Sequence, residues 1–398
     1  MGRNPVHIKN HIKTVRRSLV LAMMAGVVPA MAATHNAATV DGISISGYID
    51  PTYIYNQDAQ VSSFFFADRN APYYYYHSTF GDLFLNFNKK FGNGGSIDIQ
   101  IMPTRGYGGS FGSPATTPHA ANSIINAAIL TLPVSKTVDF IAGQVPAWDG
   151  YELETSPQML TITHNLLYDF SEPGYFTGAG ASYTSGILTV QTLVGNSWNT
   201  AYTGSAAPTK APTFEYRVSA APTSHLSFGL YGTIGKNPML INPAVETTRI
   251  YNDFDGTYTL GAATFNWQFD LGHQTAGAAN GGNAMWYGTS LLANYRFTPL
   301  VGATLRYDYL NDKKNGGHVA LADYYDGFAP TSALAPGVNN GPVRQAVTAD
   351  LLLYPVKDTI VKFEYRYDRA NGALFLDTAT GGYKKSNNVL AAQIVYSF

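Results

Sequence analysis

Along much of the chain apolar side chains fall at every second position, in stretches of about ten residues divided by turn-forming residues. Such alternation marks a strand with one face in an apolar medium and the other in a polar one. Sixteen segments carry it: 43–55, 78–91, 94–103, 121–132, 136–145, 174–184, 187–195, 212–220, 224–235, 254–264, 267–276, 284–297, 300–310, 343–354, 357–368 and 387–398. In 357–368, Val361, Phe363, Tyr365 and Tyr367 alternate with Lys362, Glu364, Arg366 and Asp368. The segment 300–310 sets Leu305, Tyr307 and Tyr309 against Arg306 and Asp308. Likewise Leu83, Leu85, Phe87 and Phe91 oppose Asp82, Asn86, Asn88 and Lys90, and Ile97, Ile99 and Ile101 oppose Asp98 and Gln100.

The links between segments alternate in length. Short ones such as Gly92-Asn93, Ser185-Gly186 and Thr298-Pro299 exchange with long ones at 56–77, 104–120, 146–173, 196–211, 236–253, 277–283, 311–342 and 369–386. Seven turns and eight loops suit sixteen antiparallel strands with both ends on the turn side. Weak divisions within 187–220 and 254–276 leave fourteen or eighteen strands open. Most segments approach the ~9–11 residues of a tilted membrane-crossing strand. An open sheet would leave backbone donors and acceptors unpaired in hydrocarbon. The expected fold is therefore all-β: a transmembrane antiparallel up-and-down β-barrel over 33–398, without a plug domain. A mid-plane Arg or Lys facing lipid costs ~2–4 kcal/mol, so the charged series must line a wet interior. Aromatics at strand ends, among them Phe91, Phe297, Tyr309, Tyr354 and Tyr367, suit interfacial girdles. Tyr73–Tyr76 reads either as girdle or as a sugar-stacking platform.

The two ends extend this picture. Arg3, Lys9, Lys13, Arg16 and Arg17 stand without an acid ahead of the apolar run 18–29, and Ala30-Met31-Ala32 gives a small-x-small cleavage pattern. Residues 1–32 are expected to be a signal peptide for export through the inner membrane, with Ala33 the first mature residue. The residues around Arg16-Arg17 fit a twin-arginine signal poorly. At the other end Leu390, Ala392, Ile394, Tyr396 and Phe398 share one face, and the chain stops on the aromatic. That segment resembles the closing strand of bacterial outer-membrane barrels. The resemblance implies outer-membrane localisation, and that the barrel-assembly machinery reads Ile394, Tyr396 and Phe398 as a signal.

Composition excludes several chemistries. Charged residues are 13% of the chain, about half the ~25% of soluble domains, while aromatics also reach 13%. Removing the five basic residues of 1–32 leaves 20 Lys and Arg against 26 acids, a net of −6. No basic tail offers itself to nucleic acid. The absence of cysteine excludes disulfides, thiolate ligands and a cysteine nucleophile. The nine histidines are scattered, and Asp253-Phe254-Asp255-Gly256 lacks the downstream Glu of a calcium loop. Gly106–Gly112 lacks the strand-to-helix setting of a phosphate loop. No catalytic residue, metal site or cofactor is expected, and no enzyme.

Sixteen strands enclose an aqueous channel unless something fills it. The third long loop, 146–173, is the candidate constriction: 28 residues with Asp149, Glu152, Glu154, His164, Asp169 and Glu172, no Lys or Arg, and a stretch 157–170 suited to a short helix. Its position and length are similar to the loop that folds into the lumen of general diffusion porins. Folded inward, its carboxylates would face the basic wall residues Arg217, Arg296, Arg306, Arg344, Lys362 and Arg366, with Asp308 and Glu364 on the same wall. A field across the eyelet and a weak cation preference would follow. The other reading leaves the loop solvated at the surface and the wall charges paired among themselves.

Gly47-Tyr48 through Tyr53-Ile54-Tyr55-Asn56, Phe80-Gly81-Asp82-Leu83 through Phe87, and Gly143-Gln144 with Gly150-Tyr151-Glu152 resemble the porin family of OmpL-like outer-membrane proteins. So do Leu166 through Phe170-Ser171-Glu172-Pro173 and Thr177-Gly178. The resemblance implies a pore-forming barrel, often with fewer than sixteen strands, and no catalytic residues to carry over. The expected function is passive diffusion of small hydrophilic solutes or ions across the outer-membrane lipid. The alternative is a surface-exposed interaction or adhesion barrel with an occluded lumen, its partner held by loops 56–77, 311–342 and 369–386. Lipid-facing Gly and Ala leave monomer and homo-oligomer both open.

Overall fold

The computed structural model describes residues 38–40, 42–58, 60–66, 81–102, 125–196, 211–239, 242, 244–278, 281–312 and 343–398. The expected signal peptide, the Tyr73–Tyr76 run and most of loops 56–77, 104–120, 196–211 and 311–342 lie outside them. The strands are β1 (Ala38–Val40), β2 (Ile43–Ile49), β3 (Thr52–Asn56), β4 (Val61–Phe65), β5 (Leu83–Lys90), β6 (Ser96–Ile101) and β7 (Ile125–Pro133). There follow β8 (Val138–Pro146), β9 (Tyr175–Ser185), β10 (Leu188–Gly195), β11 (Thr213–Thr223), β12 (Leu226–Pro238), β13 (Glu246–Leu260) and β14 (Ala263–Gln274). The last are β15 (Ala284–Thr298), β16 (Val301–Asn311), β17 (Val343–Leu353), β18 (Thr359–Ala370), β19 (Phe375–Asp377), β20 (Gly382–Lys384) and β21 (Ser386–Ser397).

From β5 to β18 each strand pairs antiparallel with the next. β21 then joins β18 to β2 and β3, and β2 pairs with β5, which closes the ring. β2 and β3 are one barrel strand broken at Asp50-Pro51, where proline has no N–H for the ladder. The ladder bridges the break: Ile394 donates to the Pro51 carbonyl at 3.2 Å and Asp50 to the Asp82 carbonyl at 3.2 Å. β4 extends the second barrel strand beside β3. Counted this way, the closed antiparallel barrel has sixteen strands, one for each expected segment. β1 folds back on the turn-side end of β2, and β19 and β20 make a hairpin in the last loop.

The largest boundary difference is at 236–253, expected to be a loop. Here β12 and β13 run on in register from Lys236↔Thr248 to Tyr231↔Asp253. Arg249, Tyr251 and Asp253 are buried on the inner face, whereas Ile250 and Phe254 are exposed on the outer one. Alternation therefore persists, but its inner members are large and polar.

Faces elsewhere follow the expected assignment. Phe363, Tyr365, Leu305 and Tyr307 are exposed on the outside, while Lys362, Glu364, Arg366, Arg306 and Asp308 are buried inside. In a barrel whose outer wall meets lipid, that exposed apolar surface is the membrane belt. The ring is sealed by a backbone pair: Gly47 N–H donates to the Phe398 carbonyl at 3.0 Å, and Phe398 N–H to the Gly47 carbonyl at 2.9 Å. A Cβ at Gly47 would collide with the Phe84 carbonyl and stand 2.8 Å from the Phe398 ring.

Candidate functional site

Segment 146–173 leaves β8 at Pro146 and returns into β9 at Tyr175, residues that face one another across the ladder. Between them it folds into the barrel and binds the inner wall. At its start, Arg217 makes a two-pronged pair with Asp255 at 2.6 and 2.7 Å and also donates to the Trp148 carbonyl. The Gly150 N–H donates to Asp253 at 2.9 Å, and the Tyr151 hydroxyl lies 2.7 Å from Ser290. Glu152 meets Arg306 at 2.7 Å.

Arg306 gathers the middle of the loop. Its Nη1 donates to Thr161 Oγ1 at 2.9 Å and to the Thr163 carbonyl at 2.7 Å, and its Nη2 donates to the His164 carbonyl at 2.9 Å. Asp308 fixes its Nε at 3.1 Å. Arg366 donates to the same His164 carbonyl at 2.6 Å, and Lys362 to the carbonyls of Ser156 and Thr161 at 2.8 and 3.0 Å. Glu364 does the converse, accepting from the N–H groups of Ile162 and Thr163 at 2.6 and 2.9 Å and from Thr163 Oγ1 at 2.6 Å. Charge-assisted bonds of this kind are roughly twice as strong as neutral ones.

The expected short helix is Leu166–Phe170. Asn165 caps it, its Oδ1 accepting from the N–H groups of Leu167 and Tyr168 at 2.8 Å each. Leu166, Leu167 and Phe170 are buried in one cluster with Trp286, Leu310 and Ala346 of the wall. A Cβ at Gly288 would collide with Leu167, so a bare backbone lets the helix close on β15. The Arg344 guanidinium lies over the Phe170 ring, 4.1 Å from its centroid, a cation–π contact.

The remaining loop residues have definite places. Glu154 is half-buried and shares the Tyr175 hydroxyl with Asn126. His164 is held by the Leu153 carbonyl at 3.0 Å and stacks on Tyr168 with ring centroids 3.8 Å apart. Asp169 is buried in the helix, and Glu172 accepts from Gln268. Asp149 is buried enough that its carboxyl is raised well above the usual carboxylate range, as is that of Glu172. Burial lifts Glu152 to about 7 against the pull of Arg306, and lowers His164 to about 3, so its imidazole is neutral.

Arg296 departs from the expected set. It donates to the Pro299 carbonyl at 2.6 Å and lies 4.0 Å over the Tyr354 ring, so it serves the turn after β15 and does not reach the loop. Five of the six expected bases do touch segment 146–173 or sit against it. Glu152 and Arg306 meet in direct contact, where a field across an opening was expected.

The opposite wall is different. On β5 and β6 the inner residues Asn86, Asn88, Asp98 and Gln100 are only half-buried. Asp98 accepts from Asn88 and Gln100 at 3.0 Å each, and Gln100 accepts from Asn126 at 3.2 Å. This polar row leads through Asn126 and Tyr175 to Glu154 at the loop's edge. One anchor escaped the sequence reading: Asp50 accepts from Ser156 Oγ, the Asp82 N–H and Gln393, the last at 3.0 Å, and so ties loop, first strand and last strand together. Its signal is the Asp50-Pro51 break, where a carboxylate stands beside a proline in mid-strand.

Among proteins of curated function none matches the sequence. Solved outer-membrane structures match the fold. The anion-selective porin from Comamonas acidovorans aligns over 89% of this chain and 99% of its own, at 13% identity and a TM-score of 0.55. The outer membrane channel DcaP of Acinetobacter baumannii aligns over 91% and 99%, at 13% identity and 0.54. OmpT of Vibrio cholerae aligns over 91% and 100%, at 11% identity and 0.52. At such identities the likeness is one of fold, that of a porin-like outer-membrane barrel. The family match is a different one from the OmpL-like porins, whose short motifs the chain resembles; what stands of that resemblance is the porin-like barrel. The family model described as Protein of unknown function (DUF3138) covers residues 6–398, and the chain belongs to that family.

Proposed function

We propose that the protein is a passive diffusion channel for small hydrophilic solutes or ions, with segment 146–173 as its constriction. The observation that carries this reading is the unequal burial of the inner wall. Beneath the loop Arg306, Lys362, Arg366 and Asp368 have no exposed surface, whereas Asn86, Asn88, Asp98 and Gln100 across from it are half-open. The passage accordingly runs along β5 and β6, bordered on the loop side by Glu154 and the exposed Gln158. A polar, unpacked row of this kind suits water better than a plug.

Weak cation preference follows from which charges remain available. The bases under the loop are spent on its carbonyls and carboxylates, while Asp98 and Glu154 border the open row. Export by the leader 1–32, and recognition of Ile394, Tyr396 and Phe398 during assembly, complete the proposal. Those three side chains are exposed on the outer wall, at 51%, 48% and 40%.

The test is planar-bilayer recording from the refolded mature protein in a salt gradient. Large steady steps with a cation-selective reversal potential are expected. A heat-modifiable, folded barrel that carries no current would sink the channel reading in favour of the occluded interaction barrel.

A further inference from the structure

At the loop-side rim of β17, β18 and β21, the outer wall changes character within one residue pair. Climbing β18, the outward side chains are Phe363, Tyr365 and Tyr367 and then Arg369. Register puts Gln345 and Ser386 on either side of Arg369, and Val347 and Asn388 on either side of Tyr367. Two residues along a strand span ~7 Å, so the cation sits just above the apolar belt. Here the wall is hollowed into a cavity of 580 Å³ lined by Gln345, Tyr367, Arg369, Asn371, Lys385 and Ser386 among others, none of them acidic.

Neither cation is neutralised by a described residue. Asp368 faces inward onto Arg366, and Asp58 and Asp377 both pair with Lys384. Arg369 and Lys385 are left exposed, side by side over the edge of hydrocarbon. Amides and a hydroxyl stand around them, and a tyrosine ring forms the floor. In outer-membrane barrels the long loops face outward, so this rim lies at the outer leaflet.

We propose that this cavity binds the phosphorylated head group of an outer-leaflet lipid. Arg369 and Lys385 take the phosphate, Gln345, Asn371 and Ser386 hydrogen-bond its oxygens and neighbouring hydroxyls, and Tyr367 packs on the first carbons of the acyl chain. A phosphate matches this set because the site supplies two positive charges and, among the described residues, no competing carboxylate, beside a low-dielectric medium that strengthens the attraction. The site is separate from segment 146–173, since Arg369 and its ladder neighbours Gln345 and Ser386 lie on the outer wall.

The test is native mass spectrometry of the full mature barrel in neutral detergent, titrated with a lipid carrying a phosphate monoester and with phosphatidylcholine. The wild type is expected to keep one phosphorylated lipid in preference to phosphatidylcholine. The double variant R369A/K385A should lose roughly thirty-fold in that preference, at about one kcal/mol for each cation. Its heat-modifiability and conductance should be unchanged. Equal retention of both lipids, or a double variant as selective as the wild type, overturns the proposal. Displacement of the lipid by inorganic phosphate alone would also overturn it, because the site would then read free phosphate. Should the double variant not fold, a photoactivatable phosphorylated lipid on the wild type decides: crosslinks within 343–371 and 385–388 support the site, and crosslinks spread around the belt refute it.

Discussion

Glu152 and Arg306 face each other at 2.7 Å across the join between loop and wall, and neither has a water-exposed alternative. The guanidinium also holds Thr161, Thr163 and His164, so one side chain fixes the loop's path over several residues. Removing one partner of a buried pair typically costs 3–5 kcal/mol, because the other charge stays buried. Arg306→Ala is expected to release the loop: larger, noisier single-channel steps and rapid proteolysis within 146–173. Arg306→Lys keeps the charge but offers three donors at one point in place of a five-donor fork that serves Glu152, Thr161, Thr163, His164 and Asp308, and should fall between the two. Quiet, wild-type steps from a folded R306A barrel would show that the loop does not depend on this anchor.

The loop's grip should vary with pH in two opposing limbs. Glu152 titrates at about 7 in the docked loop against an ordinary 4.5, so the docked state holds the proton more tightly than the released one. Docking therefore weakens as pH rises from about 4.5 to about 7. Asp149 and Glu172, both raised, add to that limb. His164 runs the other way: lowered from 6.5 to about 3, it weakens docking as pH falls through that interval. Glu152→Gln should flatten the alkaline limb and leave the acid one, and His164→Gln should do the reverse. Loop proteolysis measured against pH reads both, and identical profiles for the two variants would contradict the assignment.

Close packing of the loop helix gives a steric test. Gly288 leaves β15 bare where Leu167 seats, and Gly288→Val would occupy that seat. The added side chain presses on Leu167 and on the Tyr309 carbonyl of β16, and because the ladder holds the strands the helix is expected to lift from the wall, exposing Leu166 and Phe170. Asn165→Ala loosens the same element more gently, since losing a helix N-cap costs about 1 kcal/mol. Loop proteolysis should accelerate strongly in G288V and only a few-fold in N165A. The reverse order would mean that capping, not seating, holds the helix.

Strand number, strand faces and the loop to watch were legible because each depends on a local pattern. Alternation in 300–310 and 357–368 survives translation into structure since a mid-plane cation on the outer face costs ~2–4 kcal/mol. What the pattern hid was long-range. The pattern set Glu152 against six wall bases without singling out Arg306, 154 residues away, and nothing near Glu172 points to Gln268. Arg296 was misplaced for the opposite reason: period and charge put it on the inner face, but its height in the barrel, at the turn beside Tyr354, decides what it can touch. In β13, Arg249 and Tyr251 disguised a strand as a loop, because inner residues there are as bulky as lipid-facing ones.

Selectivity separates the open wall from the anchored one. If ions pass along β5 and β6, the acids they meet are Asp98 and Glu154, and neutralising them should move the reversal potential toward that of a less cation-selective pore. Asp98→Asn is the cleaner change, because it removes the charge at nearly constant shape; its one remaining oxygen keeps either Asn88 or Gln100, which now donate to separate carboxylate oxygens, and the other must turn its own amide to accept. Lys362→Met makes the contrasting case. That lysine has no exposed surface and holds the carbonyls of Ser156 and Thr161, so its loss should loosen the loop and raise current noise without shifting the reversal potential in a steady channel. A field spanning the whole lumen would instead make both substitutions shift selectivity, in opposite directions and by comparable amounts. Reversal potentials of D98N and K362M in the same salt gradient therefore distinguish an eccentric passage beside a fastened loop from a central eyelet with charges on either side.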